Sequence, residues 1–499
     1  MDINDDAAAD DANSEPLDSH ENAQLRSLGY RPELRRVLGS LSSFAIQYST
    51  ICFSGAILVS LLVGFGQVGP LMIWTFVGAS VLQVIVAFCI AELTSAYPLA
   101  GGVYQVVTKQ GGKFLGWQVG WLIQIAHVTS LGLGTIGLTP IILSWFGVKD
   151  PTHWQIVGFS GLLILATTLV NLLRVRIVAL VNNIGVASEF LASLTVIVGC
   201  TVAFVLGKSH QPMSFLTTDA GVVNGSIVLP LLYSCLLAAF MCSGFDVSGT
   251  AGEETHDASR VVPKAAVTAN VISLVIGSLV LLMLLLSVPN VQGVLDDVSP
   301  VKYILDSVLG SGLASAFEFL AVAALLVNGM VLQAAGARVF WAQARDGAFI
   351  GSKWLRRINT DGVPVNGVIL SGLIAFALTI YSSLYPVLAA ILAVSWAAAY
   401  GIAVLIGWRA RRAGLLPARA FTLRAGNLWY VVAIVWSAFL CIILTYQEPQ
   451  KVGVGVLIII AVGLVVYYTS RSQLPASEPT TTPAPAPRPT AASTNTEEP

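Results

Sequence analysis

Thr50-Ile51-Cys52-Phe53-Ser54-Gly55-Ala56-Ile57-Leu58 lies in the middle of an apolar run, residues 41–65, that holds no charged side chain. About 20 apolar residues are enough for a helix to cross the hydrocarbon core of a bilayer. The centre of this run nevertheless carries a Ser-Gly pair. Glycine relaxes the backbone, and a serine hydroxyl can satisfy peptide groups freed from the helix. The stretch therefore predicts a membrane-crossing helix that is interrupted midway.

Working outward, the same length criterion gives eleven further spans, at about 70–92, 114–146, 154–173, 178–206, 227–250, 265–288, 313–342, 365–383, 386–408, 428–446 and 452–469. The expected class is an all-α membrane protein of about twelve transmembrane helices. A β-barrel is excluded because the segments are too long and do not alternate. Composition agrees: 55% of residues are hydrophobic and 11% charged, against roughly 25% charged in soluble domains.

Composition also excludes whole classes of function. The net charge is -1 and there is no long Lys/Arg run, so no nucleic-acid partner is expected. The six cysteines lie in apolar stretches without a CxxC pair, which predicts neither a zinc site nor a disulfide framework. No Walker sequence, HExxH or nucleophile elbow occurs. The chain reads as a non-enzyme without cofactor or metal. The longest stretch between spans on the basic side is about twenty residues, too short for an ATP-hydrolysing domain.

Orientation follows from the positive-inside rule. With twelve spans, only Lys149, Lys208, Lys302 and Lys451 of the 26 Lys and Arg fall on one side. That side is expected to face outward, leaving both termini in the cytoplasm and the protein in the plasma membrane. The acidic tail 1–38 lacks a signal-peptide pattern. The Pro/Thr/Ala/Ser-rich tail 471–499 cannot bury enough surface to fold and is expected to be disordered.

The sixth span repeats the first one's irregularity. It reads Cys242-Ser243-Gly244-Phe245-Asp246, with its Ser-Gly pair at nearly the same depth. The two are five spans apart, the spacing of an inverted five-plus-five repeat, in which paired broken helices hold a small solute near the midplane. The bared N–H groups at a half-helix start suit a carboxylate. Ionisable groups inside a span are functional candidates. Asp246 could attract an amine or carry a proton, and Glu189 in the fifth span is the candidate for proton coupling. Glu253, Glu254 and Asp257 are expected to form an inner salt-bridge layer with Arg260 or Lys264, serving as a cytoplasmic gate. Glu318, His127 and Glu92 read as packing groups.

Four ordered stretches resemble the amino acid–polyamine–organocation superfamily, most closely its amino acid/choline branch. They are Ser27-Leu28-Gly29-Tyr30 with the Arg35 region; Ala91-Glu92-Leu93-Thr94-Ser95-Ala96-Tyr97-Pro98-Leu99-Ala100-Gly101-Gly102-Val103-Tyr104; Ser243-Gly244-Phe245-Asp246 through Gly252-Glu253-Glu254-Thr255 to Val262-Pro263-Lys264-Ala265; and Ala337-Arg338-Val339-Phe340-Trp341-Ala342 through Ala344-Arg345-Asp346-Gly347 to Val363-Pro364-Val365-Asn366. The resemblance implies a LeuT-like fold: a first repeat over 39–210, an inverted second repeat over 211–412, and two additional helices over 413–470. It implies substrate binding by Ser54, Gly55, Ala56, Ser243, Gly244, Phe245 and Asp246. It also implies an alternating-access permease for an amino acid or GABA-like amine, coupled to protons or working by exchange. Choline or polyamine transport and a non-transporting sensor are the alternatives. Sodium-using relatives offer a hydroxyl where this chain reads Ala334-Ala335-Gly336-Ala337-Arg338, which argues against a sodium site. Oligomeric state stays open.

Overall fold

The computed structural model describes residues 17–470 except 32, 35, 174 and 350. The acidic start, the 471–499 tail, and Arg35, Arg174, Arg471 and Arg488 lie outside the described residues.

Before the first span stands a short helix, α1 (Leu17–Ser27). The first apolar run then forms two helices, α2 (Ser40–Ile51) and α3 (Phe53–Val68), and turns at Gly69-Pro70 into α4 (Met72–Ala96). A short α5 (Val103–Gly111) leads to three long helices, α6 (Lys113–Trp145), α7 (His153–Asn171) and α8 (Val175–Val205). The sixth apolar run is in three pieces, α9 (Val228–Tyr233), α10 (Cys235–Met241) and α11 (Val247–Thr250). It is followed by α12 (Ala258–Leu286) and the short pair α13 (Val291–Asp296) and α14 (Pro300–Leu309). The remaining helices are α15 (Ser311–Arg345), a one-turn α16 (Ser352–Leu355), α17 (Val365–Thr379), α18 (Tyr385–Arg412), α19 (Gly426–Gln447) and α20 (Val454–Ser470).

Nine segments of the described chain are long and apolar enough to cross a bilayer, and two shorter apolar helices accompany them at Val228–Met241 and Val365–Thr379. The segment Ser40–Ala96 has 57 residues, enough for two crossings joined at Gly69-Pro70. Counting it as two gives the expected twelve. The helical class and the span positions are as read from sequence. The breaks within the first and sixth runs fall close to the Ser-Gly pairs.

Packing is inverted relative to a soluble protein. Large apolar side chains such as Leu165, Leu169, Leu191, Leu194, Ile442 and Leu457 are exposed, whereas Gln47, Gln83, Asn182, Glu189, Asp246, Asn328 and Gln333 are buried. Lipid offers no hydrogen bonds, so polar side chains turn inward to satisfy one another and the broken backbone. Helices α8, α11, α12 and α15 enclose α2, while α10 touches α3, α4 and α18. The two interrupted runs therefore lie at the centre of the bundle.

Candidate functional site

The first gap is one residue wide. Cys52 ends α2 with φ 37° and ψ 62°, in the left-handed region, an uncommon conformation for a residue with a Cβ. The Ala56 N–H is bonded to the Cys52 carbonyl at 2.8 Å. The three amides before it, at Phe53, Ser54 and Gly55, have no partner within α3, as at any helix start. Glu189 of α8 supplies one: its Oε1 accepts the Ser54 N–H at 2.7 Å. The Cys52 thiol donates to the other carboxylate oxygen at 3.5 Å, and the Ser54 hydroxyl meets that of Ser193 at 2.8 Å. On the carbonyl side of the gap, Asn328 Nδ2 of α15 donates to both Ser49 O and Thr50 O at 2.8 Å. Gly55 fits because a Cβ there would lie 2.7 Å from the Leu325 Cβ and 2.8 Å from the Ala321 carbonyl. Ala56 is buried in the same turn.

The second gap is wider, running from Cys242 to Asp246 between α10 and α11. Gln47 of α2 bridges it. Its amide nitrogen donates to the Gly244 carbonyl at 2.9 Å, and its oxygen accepts the Ser248 N–H at 3.2 Å and hydroxyl at 3.0 Å. The Ser243 hydroxyl donates to the Ala239 carbonyl and receives Gln83 Nε2 at 3.2 Å. Gly244 has φ +84°, and a Cβ on it would meet Thr50 Cγ2 at 2.4 Å. The two gaps are thus in direct contact.

Asp246 is fully buried. Its Oδ1 accepts the Tyr400 hydroxyl of α18 at 2.7 Å, while its Oδ2 has no partner. The Phe245 ring lies 5.0 Å from the Tyr400 ring. One turn before Tyr400, the Trp396 N–H is also unpartnered, 6.1 Å ring to ring from His127, whose two nitrogens lack partners as well. Buried polar atoms without partners are rare in native proteins. Among those of the described residues, Asp246 lies in the second gap and Trp396 one turn from its partner Tyr400.

At the arginine-rich end the expected pairing holds for Asp257 with Arg260 and is corrected for Glu253 and Glu254, whose partners lie on α15. Glu254 binds Arg338 through two hydrogen bonds of 2.6 and 2.9 Å, and both Glu253 oxygens accept Arg345 Nη1 at 3.0 Å. Arg260 instead meets Asp257 at 3.6 Å on the exposed surface, and Lys264 lines the same outer hollow. The reason is local. After Glu254 the chain turns through Asp257 in the left-handed region, and α12 begins there, pointing Arg260 outward. The buried acids meet α15 instead.

The stretch before the first span seals this end. Val37 and Leu38 donate to the Glu254 carbonyl at 2.9 and 3.0 Å. The Tyr30 ring covers the Arg345 guanidinium at 4.2 Å, with Trp341 on it at 4.5 Å. Burial, reinforced by the Asp346 charge, pushes the Tyr30 phenol up. Burial draws Lys109, 4.7 Å from the same ring, down.

The packing readings of the lesser acids agree with their contacts. Glu92 is buried against Arg411, Arg419 and Tyr430, and Glu318 accepts Trp145 and Ser299. Sequence reasoning passed over Gln47, Asn328 and Tyr400. A buried amide five residues before one gap, an Asn within α15 and a Tyr within α18 are signals only once it is known that they face the breaks.

Comparison with known proteins now has a geometry to meet. The family model described as amino acid permease matches residues 38–469. An amino-acid permease of Schizosaccharomyces pombe, described as uncharacterized, is 23% identical over 476 residues, covering 89% of this chain and 84% of its own. The amino-acid permease BAT1 homolog of Oryza sativa subsp. japonica is 26% identical over 463 residues, covering 86% and 88%. The thiamine transporter thi9 of S. pombe is 24% identical over 398 residues, covering 70% and 67%. With a model matched from just before the first interrupted span to the end of the last, the chain belongs to the amino acid permease family, as a multi-span membrane protein.

Proposed function

We propose that the chain is a secondary active transporter that moves an amino acid, or a GABA-like amine, by alternating access. The observation that carries this reading is the unpartnered Asp246 Oδ2, fully buried where two broken helices touch. A carboxylate oxygen without a donor in a dry interior is costly, and a solute ammonium would supply the missing donor. The bared amides of Phe53, Ser54 and Gly55 would take the solute carboxylate, with Ala56, Ser243 and Gly244 shaping the seat and Phe245 covering it. The division into repeats, 39–210 and 211–412, belongs to this reading and is supported by the matched gaps. Glu189 is the proposed proton carrier. The pairs of Glu253 and Glu254 with Arg345 and Arg338 form the proposed inner gate, in which Arg260 has no place. The skew of Lys and Arg supports a plasma-membrane protein with both termini in the cytoplasm.

A second reading is an organic cation without a carboxylate. It is favoured by Glu189, which already holds the Ser54 amide, and by the thiamine-transporting name of one relative. Purified protein in liposomes, offered labelled amino acids, GABA, choline, a polyamine and thiamine under imposed proton or sodium gradients, separates the readings. Accumulation of an amino acid or GABA driven by protons is the expected result. Accumulation of only the carboxylate-free cations would establish the second reading, and none at all would overturn both.

A further inference from the structure

We infer that Glu189 is a tethered rival for the solute's carboxylate: the two compete for the amides at the start of α3, and one proton decides between them. This rests on the carboxylate seat proposed above.

The geometry sets the conflict. Helix α3 offers three amides free of intrahelical bonds. Glu189 Oε1 holds the Ser54 N–H at 2.7 Å, with the Gly55 amide beside it. The second oxygen has the Cys52 thiol at 3.5 Å. Among the described residues no Lys or Arg forms an ion pair with this carboxylate. When ionised it is stabilised by the helix start, with the Cys52 thiol and Ser193 hydroxyl at 3.5 Å, and by no such cation. A second carboxylate brought to the same amides would stand against it, and two like charges at one dry site do not both stay ionised. Protonated, Glu189 would become a donor, give up the Ser54 amide and leave the seat to the solute.

The surroundings leave this proton to Glu189. The titratable groups facing it are Tyr48 of α2 and Cys52. Charged groups on the other helices against α8 are engaged elsewhere. On α12, Arg260 meets Asp257 and Lys264 lines the outer hollow. On α14, Lys302 binds Asp306. On α15, Glu318 binds Trp145 and Ser299, while Arg338 and Arg345 hold Glu254 and Glu253. At the start of α7, His153 meets the Ser382 hydroxyl.

The consequence is a coupling rule set by solute chemistry. A solute with a carboxylate binds together with one proton, whereas the same solute as its amide binds without one. The test measures binding of GABA, alanine and leucine, each beside its amide, to the full-length protein between pH 5 and 7, where the amines of acids and amides alike stay protonated. In the wild type, affinity for the carboxylates should fall about tenfold per pH unit on the alkaline side, and affinity for the amides should stay level. In Glu189→Gln the carboxylates should bind without that slope, and at high pH more tightly than to the wild type. A slope that survives in Glu189→Gln, or one shared by acids and amides, overturns the competition while leaving the transporter reading intact. Binding of amides but never of acids, in both proteins, overturns the carboxylate seat itself and the competition with it.

Discussion

The two gaps solve the same problem by opposite means. At Cys52 a single left-handed residue opens the helix, and every direction is answered from within: Glu189 takes the amide side and Asn328 the carbonyl side. Between Cys242 and Asp246 five residues leave the helix, one amide side chain, Gln47, answers both ends, and the Asp246 Oδ2 is left with nothing. The first gap is filled and the second is not. On the proposed reading the two gaps have different duties: at the first Glu189 would be displaced, and at the second the Asp246 Oδ2 would accept from the solute.

Substitutions can break this comparison. The largest effect is expected from Gly244→Val, which forces a β-branched residue to φ +84° and against Thr50. Left-handed strain plus overpacking costs about 2–5 kcal/mol, read as a large drop in the melting temperature of the detergent-solubilised protein. Next comes Asp246→Asn. It keeps shape but removes the charge, so solute affinity should fall about 10- to 100-fold with little change in melting temperature. Tyr400→Phe should cost less. If Tyr400→Phe costs as much as Asp246→Asn, the vacancy is a structural hydrogen bond and the contrast between the gaps disappears.

The bridging amides follow. Gln47→Leu takes one of two donors from the Gly244 carbonyl, which keeps the Val247 N–H, and strips the Ser248 amide of its acceptor, while Asn328→Leu removes a donor from two carbonyls. Each should cost roughly 1–3 kcal/mol in unfolding equilibria. Gln47→Leu should also weaken solute binding, because it loosens the unfilled gap, whereas Asn328→Leu should act mainly on stability. Equal losses of binding would erase the distinction. The smallest effect is expected from Ser193→Ala, which removes a hydrogen bond to Ser54 and a long one of 3.5 Å to Glu189, about 0.5–1.5 kcal/mol.

How much of this the sequence carries depends on whether a feature is local. The spans were legible because lipid demands long apolar runs. The gaps were legible only approximately: Gly244 lies in the second break, whereas Gly55 is helical and small because Leu325 and Ala321 press on it, and the first break falls three residues earlier at Cys52. Asp246 and Glu189 stood out as rare charges in apolar stretches. What fills the gaps was not legible. Gln47, Asn328 and Tyr400 act across sequence separations of 150 residues or more, and nothing in their own neighbourhoods marks the face they present. The same blindness misassigned the gate. Arg260 is six residues from Glu254 and was the natural partner in sequence, whereas Arg338 is 84 residues away and is the partner in space.

Cys242 allows the account to be tested where it is most exposed. It is buried at the lip of the second gap, and the other five cysteines can be replaced by serine or alanine. In liposomes, a membrane-impermeant thiol reagent would be applied to one face at a time, with and without a transported solute. If the gap opens alternately to the two faces, Cys242 will react from either side and the solute will slow both reactions. Reaction from one face only, or reaction from both that no solute slows, would contradict the claim that the meeting point of the broken helices is the passage.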